Sequence, residues 1–100
     1  MRFPGLLGLA RDYINLSWDF EFDEPADGVL AFLTTRPELA SSCVAGIDAL
    51  LHECPDEAAR LKRLGELGWG YAPGEGKLDA FLIWARDTLQ RASSSETAAG

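Results

Sequence analysis

The sequence predicts an all-α fold: a compact antiparallel bundle of four to five helices with one extended aromatic and acidic connector. Three observations predict it. Apolar residues recur at three- and four-residue spacing in several separate stretches. Pro25, Pro37, Pro55 and Pro73 stand at the joints between those stretches. A single run alternates in the manner of a strand, and no second run offers it a partner. At 100 residues, 47% of them apolar, the chain can bury one core without metal or disulfide.

Leu6, Leu9, Ala10, Tyr13 and Ile14 follow helical spacing and predict a short first helix over residues 6–14. The opening decapeptide has a single Arg and an apolar stretch broken by Pro4 and Gly5, so it reads as part of the fold rather than as a signal segment. Trp18, Phe20 and Phe22 then alternate with Asp19, Glu21 and Asp23, which predicts an extended connector with its aromatics turned inward. Glu24-Pro25 opens the next helix, where Ala26, Val29, Leu30 and Leu33 form an apolar stripe. Arg36-Pro37 breaks it and starts the longest helix, residues 37–53, carrying Leu39, Cys43, Ile47, Leu50, Leu51 and Cys54 on one face. Pro55-Asp56-Glu57 begins a helix with Ala58, Leu61, Leu64 and Leu67, and Gly68 is its C-terminal cap. A loop containing Trp69 and Tyr71 leads to a last helix over residues 78–91, aligned on Leu78, Phe81, Leu82, Ala85 and Leu89. Residues 1–92 thus form a single helical domain, and residues 93–100, with nothing to bury, are expected as a disordered tail.

Sixteen acids against nine bases give a net charge of −7. Such a surface repels phosphates and anionic lipid, so direct nucleic-acid or membrane-surface binding is not expected. The longest apolar run is too short to span a bilayer. A basic protein is the natural partner for an acidic surface, although acidity also serves solubility alone. Cys43 and Cys54 lie eleven residues apart on one predicted helix. That places them roughly 16 Å apart, beyond disulfide reach, and they read as buried thiols of a cytoplasmic protein.

The residue patterns that carry catalysis are missing. His52 is the only histidine, and His52-Glu53-Cys54-Pro55-Asp56 lacks the second histidine of a zinc helix. Two residues apart on a helix, His52 and Cys54 point about 200° apart and cannot form a nucleophile pair. The glycines around Trp69 and Glu75 make no phosphate cradle, and Arg60, Lys62 and Arg63 form a short basic cluster beside acids. No enzyme activity, cofactor or metal is expected. Residues 12–27 hold six acids and no base. They read either as solvated carboxylates near a helix start or as a negative patch shaped for a basic partner. Trp69 and Tyr71 read either as exposed interface anchors or as rings folded back over a helix end. Trp18 and Trp84, in or near apolar stripes, read as core.

Two stretches together resemble the helical immunity proteins of bacterial contact-dependent growth inhibition systems. In residues 9–18, Tyr13 and Trp18 match the aromatic and tryptophan positions of that family. In residues 67–89, Leu67, Gly68, Tyr71, Pro73, Gly76, Leu82 and Arg86 match its Leu-Gly, aromatic, Pro, Gly-turn and helix ending. The polar residues usual before Trp18 are replaced by Asn15, Leu16 and Ser17, Phe81 stands for a tryptophan, and the loop is one residue short. The resemblance implies stoichiometric inhibition of a cognate toxin domain, often a basic nuclease, in the bacterial cytoplasm. Asp19, Glu21, Asp23, Glu24 and Asp27 are then the first candidates for the partner-binding surface, with Trp69 and Tyr71 second. Apart from the resemblance, a small acidic adaptor or regulatory domain that binds a host protein fits the same composition.

Overall fold

The computed structural model describes residues 4–99, and those residues contain six α-helical segments and no strand. α1 (Pro4–Gly8) runs directly into a π-helical turn (Leu9–Tyr13), followed by α2 (Trp18–Glu21) and α3 (Pro25–Thr35). A 3-10 turn (Pro37–Leu39) then leads into α4 (Ala40–Glu53), α5 (Glu57–Glu66) and α6 (Lys77–Ala99). The all-α class holds. The helices are more numerous and shorter at the N-terminus than the periodicity predicts.

α4 and α6 form the central pair, because each carries an apolar stripe of the right period. Ala40, Cys43, Ile47 and Leu50 are buried on one, and Leu78, Leu82, Ala85 and Leu89 on the other. Fully burying each of these larger side chains stabilises the fold by roughly 1.5–3 kcal/mol. Two cross-links show that the pair is antiparallel. Ser41 Oγ lies 2.9 Å from Ser93 Oγ at one end, and Arg86 Nη1 donates to Asp48 Oδ1 at 3.0 Å further along. α1 packs on α4 from the other side, and α3 covers the π-helical turn, with Phe32 and Val29 fully buried between them and the core.

The π-helical turn closes a wider ring than an α-helix: the Ile14 N–H donates to the Leu9 carbonyl at 2.8 Å. The wider turn brings Leu9, Ala10 and Ile14 into the core together. Tyr13, half-buried, stands edge-on to Phe32 at 5.5 Å and shares a hydrogen bond with the Thr35 hydroxyl.

α5 is a short clasp across two helix ends. Asp56 caps it by accepting from the Ala59 N–H at 2.9 Å. Arg60 reaches back to the Leu51 and Cys54 carbonyls at the end of α4 and forward to Asp79 at 2.7 Å. Glu57 accepts from the Gly76 and Asp79 N–H groups at the start of α6, and those two bonds hold its carboxyl below its ordinary 4.5. Arg60 therefore does not belong to a solvated basic face, whereas Lys62 and Arg63 are exposed. α5 ends as Gly68 predicts. At φ +104° this glycine lets its own N–H reach the Gly65 carbonyl and the Trp69 N–H reach the Leu64 carbonyl.

Two expectations need correction. The connector is not extended through its aromatics: Trp18–Glu21 is one helical turn, and extended backbone is found at Phe22 and Glu24. The last helix does not stop near residue 91: its backbone is helical from Lys77 to Ala99. The side chains of residues 94–99, and Gly100 altogether, lie outside the described residues.

Candidate functional site

The segment from Asn15 to Asp27 is held to the rest of the molecule mainly through its backbone and two rings. The Gly70 N–H donates to the Ile14 carbonyl at 2.7 Å. A Cβ at Gly70 would stand 2.2 Å from the Asn15 carbonyl oxygen and 2.5 Å from the Leu16 Cα, so only glycine permits this approach. Asn15 shapes the corner itself, its side chain donating to the Arg11 carbonyl and accepting from the Ser17 N–H. The Trp18 indole N–H then donates to the Gly70 carbonyl at 3.2 Å, and its ring stands edge-on to Tyr71 at 5.7 Å. Tyr71 in turn meets Phe81 of α6 at 5.2 Å, and Phe81 meets Trp84 at 5.7 Å.

The single turn of α2 decides what faces outward. The Phe22 N–H donates to the Trp18 carbonyl, so these residues are four apart on a helical turn and share a face. Trp18 is half-buried on Gly70 and Tyr71, and the Phe22 ring lies over Gly28 of α3. Phe20, midway between them, is turned to the opposite side and is 87% exposed. Leu16 backs onto Gly70 through its Cα and is 83% exposed. The alternation predicts Phe20 turned inward with Trp18 and Phe22, and the helical turn overturns that. The signal that finds Phe20 is the four-residue spacing of Trp18 and Phe22, read as helix instead of strand.

Asp19, Glu21, Asp23, Glu24 and Asp27 are all exposed, and among the described residues no ion pair reaches any of them. Asp27 has a local duty as well. Its carboxylate accepts from the Glu24 N–H at 3.3 Å, tying down the start of α3 where Pro25 opens the helix. Glu24 answers it, its side chain accepting from the Asp27 N–H to complete a capping box, whereas Asp19, Glu21 and Asp23 accept no hydrogen bond from within the described residues. This stretch therefore presents two bare apolar side chains beside three acids, Asp19, Glu21 and Asp23, that folding leaves unpaired.

The two aromatic candidates separate. Trp69 is 4% exposed, packs near Phe81 and donates its indole N–H to the Tyr71 carbonyl at 2.6 Å. It closes the end of α5 over the core and offers no surface to a partner. Tyr71 is half-buried and borders the acidic segment through Trp18. Trp84, expected in the core, is half-buried at the end of the same aromatic row.

The groups with nucleophilic or ligating chemistry lie apart from this surface. Cys43 is fully buried, and burial pushes its thiol up to about 12. Cys54 is buried at the end of α4, while His52 is exposed and pairs its Nδ1 with the Asp48 carbonyl at 2.7 Å. Among the described residues no three His, Cys, Asp or Glu side chains converge as metal donors. A hollow of about 270 Å³ at the α4–α5 corner is lined by Glu53, Lys62, Arg63 and Glu66 beside apolar atoms, so both charge signs face it. No helix among the described residues is long and apolar enough to cross a membrane.

Comparison with protein-family models, with curated proteins and with solved structures returns no match to this chain.

Proposed function

We propose that this chain is an immunity protein of the contact-dependent growth inhibition type, which binds a basic toxin domain in the bacterial cytoplasm and blocks it one to one. The observation that carries this reading is the acidic stretch from Asp19 to Asp27, exposed and without an internal counter-charge. Carboxylates left unpaired by folding are free to meet a partner's lysines and arginines. They also raise the rate at which a basic domain finds this surface. A toxin that grips nucleic-acid phosphates needs such a basic groove, and an acidic helical surface competes for the same place.

The placement of the resembling stretches supports the reading further. Residues 9–18 and residues 67–89 are far apart in sequence, yet they meet at one joint, where Gly70 pairs with Ile14 and Trp18 packs on Tyr71. Trp18 and Tyr71, two positions that carry the resemblance, thus serve to present the acidic stretch.

Growth rescue tests the proposal. The toxin domain encoded beside this gene is expressed alone, with this protein, and with Asp19→Lys/Glu21→Lys/Asp23→Lys. The expected result is rescue by the wild-type chain and loss of rescue by the charge-reversed one at equal expression. A toxin that kills equally with and without the wild-type protein overturns the proposal.

A further inference from the structure

We infer that Phe20, with Leu16 beside it, is the apolar anchor of the interface. It would enter a recess in the partner's surface that is ringed by basic side chains. The inference rests on the reading of this segment as the partner-binding surface, and it assigns different work to its two kinds of residue.

Folding does not account for the position of Phe20. The turn of α2 points Trp18 and Phe22 into the molecule and leaves Phe20 87% exposed. Leu16 is 83% exposed, whereas Leu30 and Ile83, the other exposed large apolar residues described, are only about half so, at 46% and 42%. A ring held out on one helical turn, whose base is tied to Gly70 and Gly28, loses little freedom when a partner closes over it. Aromatic side chains seated in a desolvated pocket dominate interface energies, and a polar rim around them excludes water.

The chemistry of the occupant follows from what surrounds the ring. Asp19 and Glu21 flank Phe20 directly, and Asp23 and Glu24 follow, with no base between residues 12 and 27. An acidic or neutral partner would leave these carboxylates without counter-charge at the rim. A protein surface carrying lysines or arginines around an apolar recess satisfies both features at once. The acids then govern how quickly the complex forms, and Phe20 governs how long it lasts.

Binding kinetics separate these roles. The probe is the neighbouring toxin domain, inactivated in its own catalytic site, measured at low and at high salt against the full chain. Phe20→Ala should dissociate about thirtyfold faster or more, with little change in association. Phe20→Leu should recover part of that loss, and Leu16→Ala should show a smaller increase in dissociation. Asp19→Asn/Glu21→Gln/Asp23→Asn should instead slow association at low salt and approach wild type as salt rises. An unchanged thermal midpoint for Phe20→Ala shows that the fold is intact. Phe20→Ala dissociating within twofold of a tightly bound wild type overturns the anchor alone. A wild-type chain that forms no complex overturns both the anchor and the function on which it rests.

Discussion

Asp79 and Asp19 are the same residue in opposite circumstances. Asp79 sits where α5 clasps α6. Its carboxylate takes the Arg60 guanidinium at 2.7 Å, and its own N–H is held by Glu57. Nearby, Arg86 is claimed by Asp48 and Asp87, which raise its pKa further. Asp19, on the turn of α2, has no such partner among the described residues. The phenylalanines repeat the contrast, Phe32 being fully buried and Phe20 almost fully bare. Folding uses Asp79 and Phe32 and leaves Asp19 and Phe20 over. Side chains that folding does not use are the ones to examine for binding.

The contrast can be broken most sharply at its two phenylalanines. Phe32→Ala should cost about 3–5 kcal/mol in urea unfolding, because it empties a filled core site. Phe20→Ala should stay within about 0.5 kcal/mol of wild type in the same measurement, as surface changes do. Equal losses at both would mean that the α2 turn is part of the core.

Gly70→Ala tests whether the segment is fixed from outside itself. The methyl group has no room beside the Asn15 carbonyl, so about 1–3 kcal/mol should be lost. The Gly70 amide, now bonded to Ile14, should lose its protection from hydrogen exchange. Retained protection would show that the corner at Asn15 stands without this joint.

The smallest effect concerns pH. Glu57 has a folded-state pKa below its ordinary 4.5, chiefly because the Gly76 N–H donates to it, with the Asp79 N–H next. Its contribution to stability is therefore present above the unfolded value and lost as pH falls through the folded one. Wild type should unfold later than Glu57→Gln at neutral pH, and the gap should close on acidification below 4.5. A gap that persists in acid would assign the effect to geometry instead of charge.

Much of this fold was legible in the sequence where the apolar period was long. The stripes of α4 and α6, the proline starts of α3 and the 3-10 turn, and the cap at Gly68 stand where spacing predicted them. The connector was misread for a definite reason. A run of aromatics two apart fits a strand, and the same run also contains a pair four apart that fits one helical turn. Only tertiary partners, Gly70 for Trp18 and Gly28 for Phe22, choose between these. The candidate site was legible as acids but not as apolar tips. The sequence alone does not choose between anchor and cover for Trp69, and its burial follows from the Gly68 turn that folds it over α5.

The joint at Gly70 has a consequence for how this protein can diversify. It grips the segment mainly by main-chain groups and by the rings of Trp18 and Phe22. The side chains at 16, 19, 20, 21 and 23 form none of the bonds that set its shape. Those five positions can be exchanged while the frame beneath them stays as it is. Under the proposed function, selection can then rewrite which partner is recognised without having to solve the folding problem again.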